Sequence, residues 1–261
     1  PAVIGLSEVE NRRVLEDLVS TESLRPARYQ IVQYDSPEPR GIDVALLFRP
    51  DVFQLEWSDV FQPVIPEIPD FKTRDILAVC GTIEGERFCF FVNHWSSRRG
   101  GSAASEYLRV GCAETVRRYA DSLQTVYPDI KIVIMGDMND DPYNKSLSET
   151  LGAKEKVSQV EPGGYFNPMW SLHRAGYGTI GYQDAWNLFD NIVVNYNLIG
   201  QDSGSLHLLP SDKDMYGRIF KRSYMIQQKG RYKNYPLRSF SGNSFLGGYS
   251  DHLPVYIVIG K

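Results

Sequence analysis

The chain has 261 residues, 42% of them hydrophobic, enough to bury one large core and suited to a single domain. Its net charge of −4 and pI near 5.7 exclude a protein that coats nucleic acid by charge alone, because counterion release needs a broad basic footprint; a local basic patch remains open. No stretch approaches the roughly 18 consecutive apolar residues of a membrane-spanning helix, so no transmembrane segment is expected; a soluble monomer is the working expectation.

The chain opens on strand-like residues, Pro1 to Leu6, which fits removal of an upstream leader and an extracytoplasmic location. No segment has a signal-peptide layout, so the compartment stays unassigned. Val3 to Leu6 predicts a strand ending at Ser7-Glu8-Val9-Glu10-Asn11, and Val14, Leu15, Leu18 and Val19 then recur at helical spacing. Tyr29 to Tyr34 and Ile42 to Phe48 predict two further strands around a Pro-rich turn, with Arg40 and Asp43 at the mouth of the second. Ile76 to Thr82 and Arg87 to His94 predict a hairpin about Glu84-Gly85, in which Cys80 faces Cys89. Neighbouring antiparallel strands accept a disulfide only with strain, so reduced packing residues are expected.

Leu108, Cys112, Val116, Tyr119, Leu123 and Val126 predict a long amphipathic helix within 102–126. It leads into a buried strand, Ile130 to Ile134, that ends in Gly136-Asp137-Met138-Asn139-Asp140-Asp141-Pro142. Asp137 and Asn139 are two residues apart, so an extended backbone sends both side chains from one face; a solvated strand exit is the bland alternative. A short helix follows through Leu147 and Leu151, then an ordered surface excursion from Lys154 to Asp184. Within it, Tyr165-Phe166-Asn167-Pro168-Met169-Trp170 either touches lipid or caps the core. The remaining predicted strands are Asn191 to Tyr196 and Val255 to Ile259. Strands alternating with a few helices, and loaded at their ends with acids, amides and histidines, predict an α/β sandwich with its site along one sheet edge.

In chain order the loaded ends are Gly5-Leu6-Ser7-Glu8-Val9, Asn93-His94-Trp95, Gly136-Asp137-Met138-Asn139, Phe189-Asp190-Asn191 and Ser250-Asp251-His252-Leu253-Pro254. Together, from residue 5 to residue 254, they resemble the endonuclease/exonuclease/phosphatase superfamily. That group contains pancreatic-type deoxyribonucleases, apurinic endonucleases, neutral sphingomyelinases and inositol polyphosphate phosphatases. The resemblance implies a four-layer α/β sandwich: two mixed, mostly antiparallel sheets face to face with helices outside. It implies metal ligands at Glu8 and Asp251, whose carboxylates suit Mg²⁺, with Mn²⁺ as the substitute. Asp137 and Asn139 resemble the pair that orients the attacking water and binds phosphate oxygens. His252 resembles the histidine at the scissile phosphate, with Asp190 fixing its tautomer, and His94 resembles the second active-site histidine, with Asp43 a candidate to orient it. Family members begin with a strand carrying a catalytic asparagine. This sequence starts beyond it, so a domain lacking that first strand is expected.

Arg40, Arg98, Arg99 and Asn191 are the expected substrate contacts. Arg98 and Arg99 either reach a phosphate or stay solvated at a helix start. From Tyr216 to Phe240, seven Lys or Arg and six aromatics occur with no Asp or Glu; this pattern describes either a phosphate backbone with stacked bases or a half-exposed hairpin. The expected activity is Mg²⁺-dependent hydrolysis of a phosphate ester, foremost a phosphodiester, with nucleic acid as a candidate partner. A phosphatase on a soluble phosphorylated small molecule or inositol phosphate is the first alternative, and an inactive metal-binding module the second.

Overall fold

The computed structural model describes residues 1–200, 204–211 and 215–261. Strand β1 (Val3–Val9), helix α1 (Arg12–Ser20), β2 (Gln30–Gln33) and β3 (Asp43–Phe48) come first, and the strands form an antiparallel sheet in the order β1-β3-β2. Every residue of β3 is buried. Its alternation sends Val44, Leu46 and Phe48 into the large core and Ala45 the other way, against Val9 and Leu15. A charged residue at Leu46 would therefore break the inter-sheet contact directly. The β1 ladder slips between Leu6 and Val9: the strand does not end at Ser7 but bulges and resumes. Ser7 and Glu8 are thereby released from the pairing.

The second sheet draws on β4 (Phe53–Phe61), β5 (Ile76–Ile83), β6 (Glu86–His94), helix α2 (Glu106–Val126), β7 (Lys131–Asp137), and the short β8 (Ala153–Lys154) and β9 (Tyr165–Phe166). After α3 (Met169–Arg174), β10 (Ile180–Tyr182) and β11 (Ala185–Asn187) comes β12 (Asp190–Asn195). Its seven strands run β4-β5-β6-β7-β12-β9-β8. Period-2 alternation divides their side chains: Phe88, Phe90, Val92, Val133, Ile192 and Val194 face the three-stranded sheet, while Phe91, Ile132, Ile134 and Val193 meet Cys112, Ala113, Val116 and Ala120 of α2. Burying each of these Val, Ile and Phe side chains contributes roughly 1.5–3 kcal/mol, so the two apolar layers dominate the fold.

The fold is α/β with one large mixed sheet, as expected, but the other sheet is smaller and wholly antiparallel. The C-terminal strands form separate ladders: β13 (His207–Leu209) pairs with β18 (Val258–Gly260), β14 (Arg218–Ile219) with β17 (Val255–Tyr256), and β15 (Phe240–Ser241) with β16 (Ser244–Phe245). Strand β4 lies outside the sequence reading, although Phe53, Leu55 and Trp57 alternate with polar residues. The Tyr165–Met169 stretch is buried, so it caps the core and leaves no lipid-facing loop. Cys80 and Cys89 are bonded, contrary to the reduced state expected. They are directly opposite across β5 and β6, with Cα atoms 4.1 Å apart, so the ladder itself brings the sulfurs together. No helix among the described residues is long and apolar enough to cross a membrane.

Candidate active site

The β6–β7 pair is parallel, which requires a long crossover, and α2 supplies it. Both strands therefore finish at the same sheet edge, with His94 opposite Asp137. Strand β12 starts at that edge and runs antiparallel to β7, placing Asp190 opposite Asp137 on its other side. Register alone thus lines up His94, Asp137 and Asp190 on three adjacent strands. Gly136 makes the exit from β7 possible: its φ is +137°, and a Cβ there would lie 1.9 Å from the Asn93 carbonyl oxygen. No other residue fits that approach.

His252 reaches the row from the C-terminal loop. Its Nδ1 lies 2.8 Å from Asp190 Oδ2, and its backbone N–H donates to Ser250 Oγ. Among the described residues, Asp137, Asp190 and His252 are the one group of three acids or histidines whose ligand atoms lie within 4.8 Å of one another. The two histidines carry opposite charge states. Burial alone would discharge His252, but the charge and hydrogen bond of Asp190, followed by the charges of Asp137 and Asp251, push it up to about 10. His94 has its Nε2 3.6 Å from Asp137 Oδ2. Burial, then the charges of Arg74, His252 and Arg40, push it down to about 3, leaving a neutral imidazole. Asp137 is held well above the usual carboxylate range by burial first; His252 opposes this, and Asp190 and Glu8 add to it.

Asn139 joins Asp137 by a route other than strand periodicity. Its backbone is left-handed, at φ +50°, and its N–H donates to Asp137 Oδ1 at 2.9 Å in an Asx turn. Its amide donates to the Trp95 carbonyl at 2.9 Å and to Asp137 Oδ2 at 3.3 Å. Both amide hydrogens are engaged, so a phosphate oxygen must displace one of them. Glu8 sits in the β1 bulge with φ +59°, exposed, and close enough for its charge to act on Asp137. The Asp251 carboxylate is 3.3 Å from Arg238.

Other expected contacts serve structure. Arg98 donates Nε to the Asn139 carbonyl and Nη2 to Asp140, Asp141 and Asn144, so it holds the Asn139 loop from behind. Asn191 is fully buried, donating to the Asp140, Leu188 and Phe189 carbonyls and accepting from Asn167, so it cannot touch a substrate. Asp43 accepts from Ser36 N–H and the Gln33 amide and makes no hydrogen bond to His94. Arg40 is exposed and bonded to Glu38, yet its charge reaches His94. Arg99 is exposed and outside every ion pair found among the described residues.

Two arginines were missed. Arg74, buried, donates to the carbonyls of His94 at 3.0 Å and Trp95 at 2.6 Å. Trp95 O also accepts from Asn139, so Arg74 fixes the end of β6 and the carbonyl on which Asn139 docks. Nothing marked Arg74 in the sequence beyond a lone cation before an apolar run. Arg109, fully buried, has its Nε 2.8 Å from Asp140. A signal existed there: Arg109 shares the apolar stripe of α2 with Cys112 and Val116, and a cation on a buried face demands an acid.

Solved structures resemble this fold. D. rerio TDP2 complexed with a single-strand DNA product superposes with a TM-score of 0.60 at 12% identity, covering 100% of this chain and 86% of that one. The Bacteroides thetaiotaomicron VPI-5482 mannosyl-6-phosphatase Bt3783 gives 0.58 at 17% identity, with 100% and 85% covered. The human Nocturnin catalytic domain with bound sulfate gives 0.52 at 20% identity, with 80% and 72% covered. No curated protein matches the sequence. The Endonuclease/Exonuclease/phosphatase family matches across residues 1–261, and the chain belongs to that family of phosphate-ester hydrolases, whose members generally depend on a divalent metal ion.

Proposed function

We propose that this phosphoesterase hydrolyses a phosphodiester, with Asp137 positioning and activating the attacking water and His252 at the phosphoryl group. The observation that carries the reading is the Asp137–Asp190–His252 cluster, in which one histidine is held charged by a carboxylate 2.8 Å away. A cationic His252 stabilises negative charge building on the phosphoryl oxygens and needs no reorganisation as it forms. Asp137, held high by burial, is matched to accept a proton near neutral pH. Asn139 contributes its amide once the substrate displaces an internal hydrogen bond. Neutral His94 offers Nδ1, buried and without a hydrogen-bond partner among the described residues, as a donor or acceptor.

The residues present fit a divalent cation. Hard carboxylate oxygens dominate the edge, and the charge of Asp137 lies against those of Asp190 and Glu8, a surplus that a cation relieves. Glu8 and Asp251 would hold it, Asp251 giving up its pairing with Arg238. The ion, most suitably Mg²⁺, supplies Lewis-acid polarisation of a phosphoryl oxygen. The chain is read as one monomeric domain.

The test is hydrolysis of bis-p-nitrophenyl phosphate and p-nitrophenyl phosphate with Mg²⁺, Mn²⁺ or EDTA, comparing the chain with His252→Ala. Metal-dependent diester cleavage, reduced about 10²-fold or more in the variant, is expected. Monoester cleavage alone would replace the diester reading by a phosphatase, and no cleavage of either would leave a binding module.

A further inference from the structure

The segment from residue 215 to residue 250 contains seven Lys or Arg and no Asp or Glu, while the rest of the chain has 21 cations against 32 acids. Among the described residues only Arg238 of the seven is ion-paired. Its apolar residues are sorted in an unusual way. The aliphatic Met225 and Ile226 are buried against Leu253, with Trp186 and Phe220 packed over them. The aromatics Tyr224, Tyr232, Phe240, Phe245 and Tyr249 are all more than half exposed. Burial of apolar area would put the larger rings inside first, so their outward position calls for a different reason. The segment is also fixed beside the catalytic loop. Tyr249 N–H donates to the Leu237 carbonyl, and a Cβ on Gly248 would lie 2.0 Å from that same oxygen. Tyr249 leads directly into Ser250-Asp251-His252.

We propose that this aromatic–basic surface binds single-stranded nucleic acid and carries the strand flanking the scissile phosphate into the site. Outward rings offer stacking faces to unpaired bases, and the cations among them follow the phosphate backbone. Phe240 and Phe245 pair across the β15–β16 hairpin, 5.1 Å apart and tilted, and both are more than half exposed. A duplex fits poorly because its bases are already stacked. A membrane fits poorly because the exposed rings are interleaved with cations and, of the aliphatic residues, Met225 and Ile226 face inward while Leu246 alone is exposed. The proposal rests on the phosphoesterase reading for the scissile bond, whereas the binding itself does not.

The experiment is fluorescence anisotropy of a fluorescein-labelled oligothymidylate of about 15 nucleotides, with the whole chain in EDTA and over a salt series. Phe240→Ala/Phe245→Ala is expected to weaken binding at least about fivefold. Arg222→Gln/Arg231→Gln/Lys233→Gln is expected to lower the slope of log affinity against log salt by about two. Circular dichroism and melting confirm that each variant folds, and a variant that does not is replaced by Phe245→Ser or Arg231→Gln alone. The ratio of oligonucleotide to bis-p-nitrophenyl phosphate hydrolysis should fall in both variants. Binding indifferent to both sets of changes, equal competition by heparin, or co-sedimentation with phosphatidylserine vesicles without oligonucleotide binding would overturn the proposal. Oligonucleotide binding without diester hydrolysis would keep it and remove the phosphoesterase reading; the reverse would do the opposite.

Discussion

His94 and His252 both face Asp137, yet one is neutral and the other charged, and they belong to regions built in different ways. His94 sits at the end of β6, where backbone register puts it opposite Asp137 and burial strips it of charge. His252 sits on a loop outside the sheets, placed by a hydrogen bond to Asp190 and kept charged by three carboxylates. The strand ends hold position through many ladder bonds and a packed core. The loop holds it through a few contacts, the His252–Asp190 pair and the backbone bonds of Tyr249 to Leu237 and of Leu253 to Thr179. Changes to the first region should therefore act on folding, and changes to the second on charge and rate.

The largest expected effect is on the strand ends. Gly136→Ala puts a methyl against the Asn93 carbonyl in a conformation that L residues rarely adopt, and it should cost about 3–5 kcal/mol. Urea unfolding measures this; a loss below about 1 kcal/mol would show that the β6–β7 exit is pliable. Next comes the loop. Asp190→Asn should leave the fold intact and lower activity about 10²–10⁴-fold. In metal-free protein it should also bring His252 far below its wild-type titration near 10, as read by NMR of the imidazole. The sign follows from the raised value: in the wild type the stabilisation from charged His252 is complete below its unfolded pKa of about 6.5 and fades as pH rises toward 10. The stability gap between wild type and variant should close over that interval. An unchanged His252 titration would mean that Asp137 and Asp251 hold the charge without Asp190.

The smallest effect sharpens the comparison with a buried acid immediately before β5, next in sequence to the Arg74 that donates to the His94 carbonyl. Burial and then the charge of Asp43 push Asp75 up to about 6, and its Oδ1 has no hydrogen-bond partner among the described residues. A carboxyl raised in the folded state favours folding while protonated and opposes it once charged. Asp75→Asn should therefore stabilise by about 1–3 kcal/mol at pH 8 and by little at pH 4, read as a pH-dependent difference in Tm. Equal shifts at both pH values would place the effect in packing.

Much of the site was legible because its residues lie at the ends of apolar runs. Gly136-Asp137-Met138-Asn139 and Ser250-Asp251-His252 announce polar chemistry wherever the strands are placed. The Asx turn at Asn139, the burial of Asn191 and the inward grip of Arg98 were not legible. Each depends on which carbonyl or carboxylate a distant segment brings within about 3 Å. The Cys80–Cys89 pairing lay between: the hairpin register was readable, but whether the sulfurs would bond was not.

The sequence by itself determined the order of the main core strands and helices apart from β4, the family, and the polar residues at each strand end, because hydrophobic periodicity and short motifs are local properties of the chain. Only the tertiary structure decided that β6 and β7 run parallel with β12 antiparallel beside them, that Arg74 and Arg109 hold the edge from within, and that one histidine is charged while the other is neutral. Register and charge state arise from contacts between residues far apart in sequence, in surroundings where burial and a neighbouring charge outweigh a side chain's intrinsic preference.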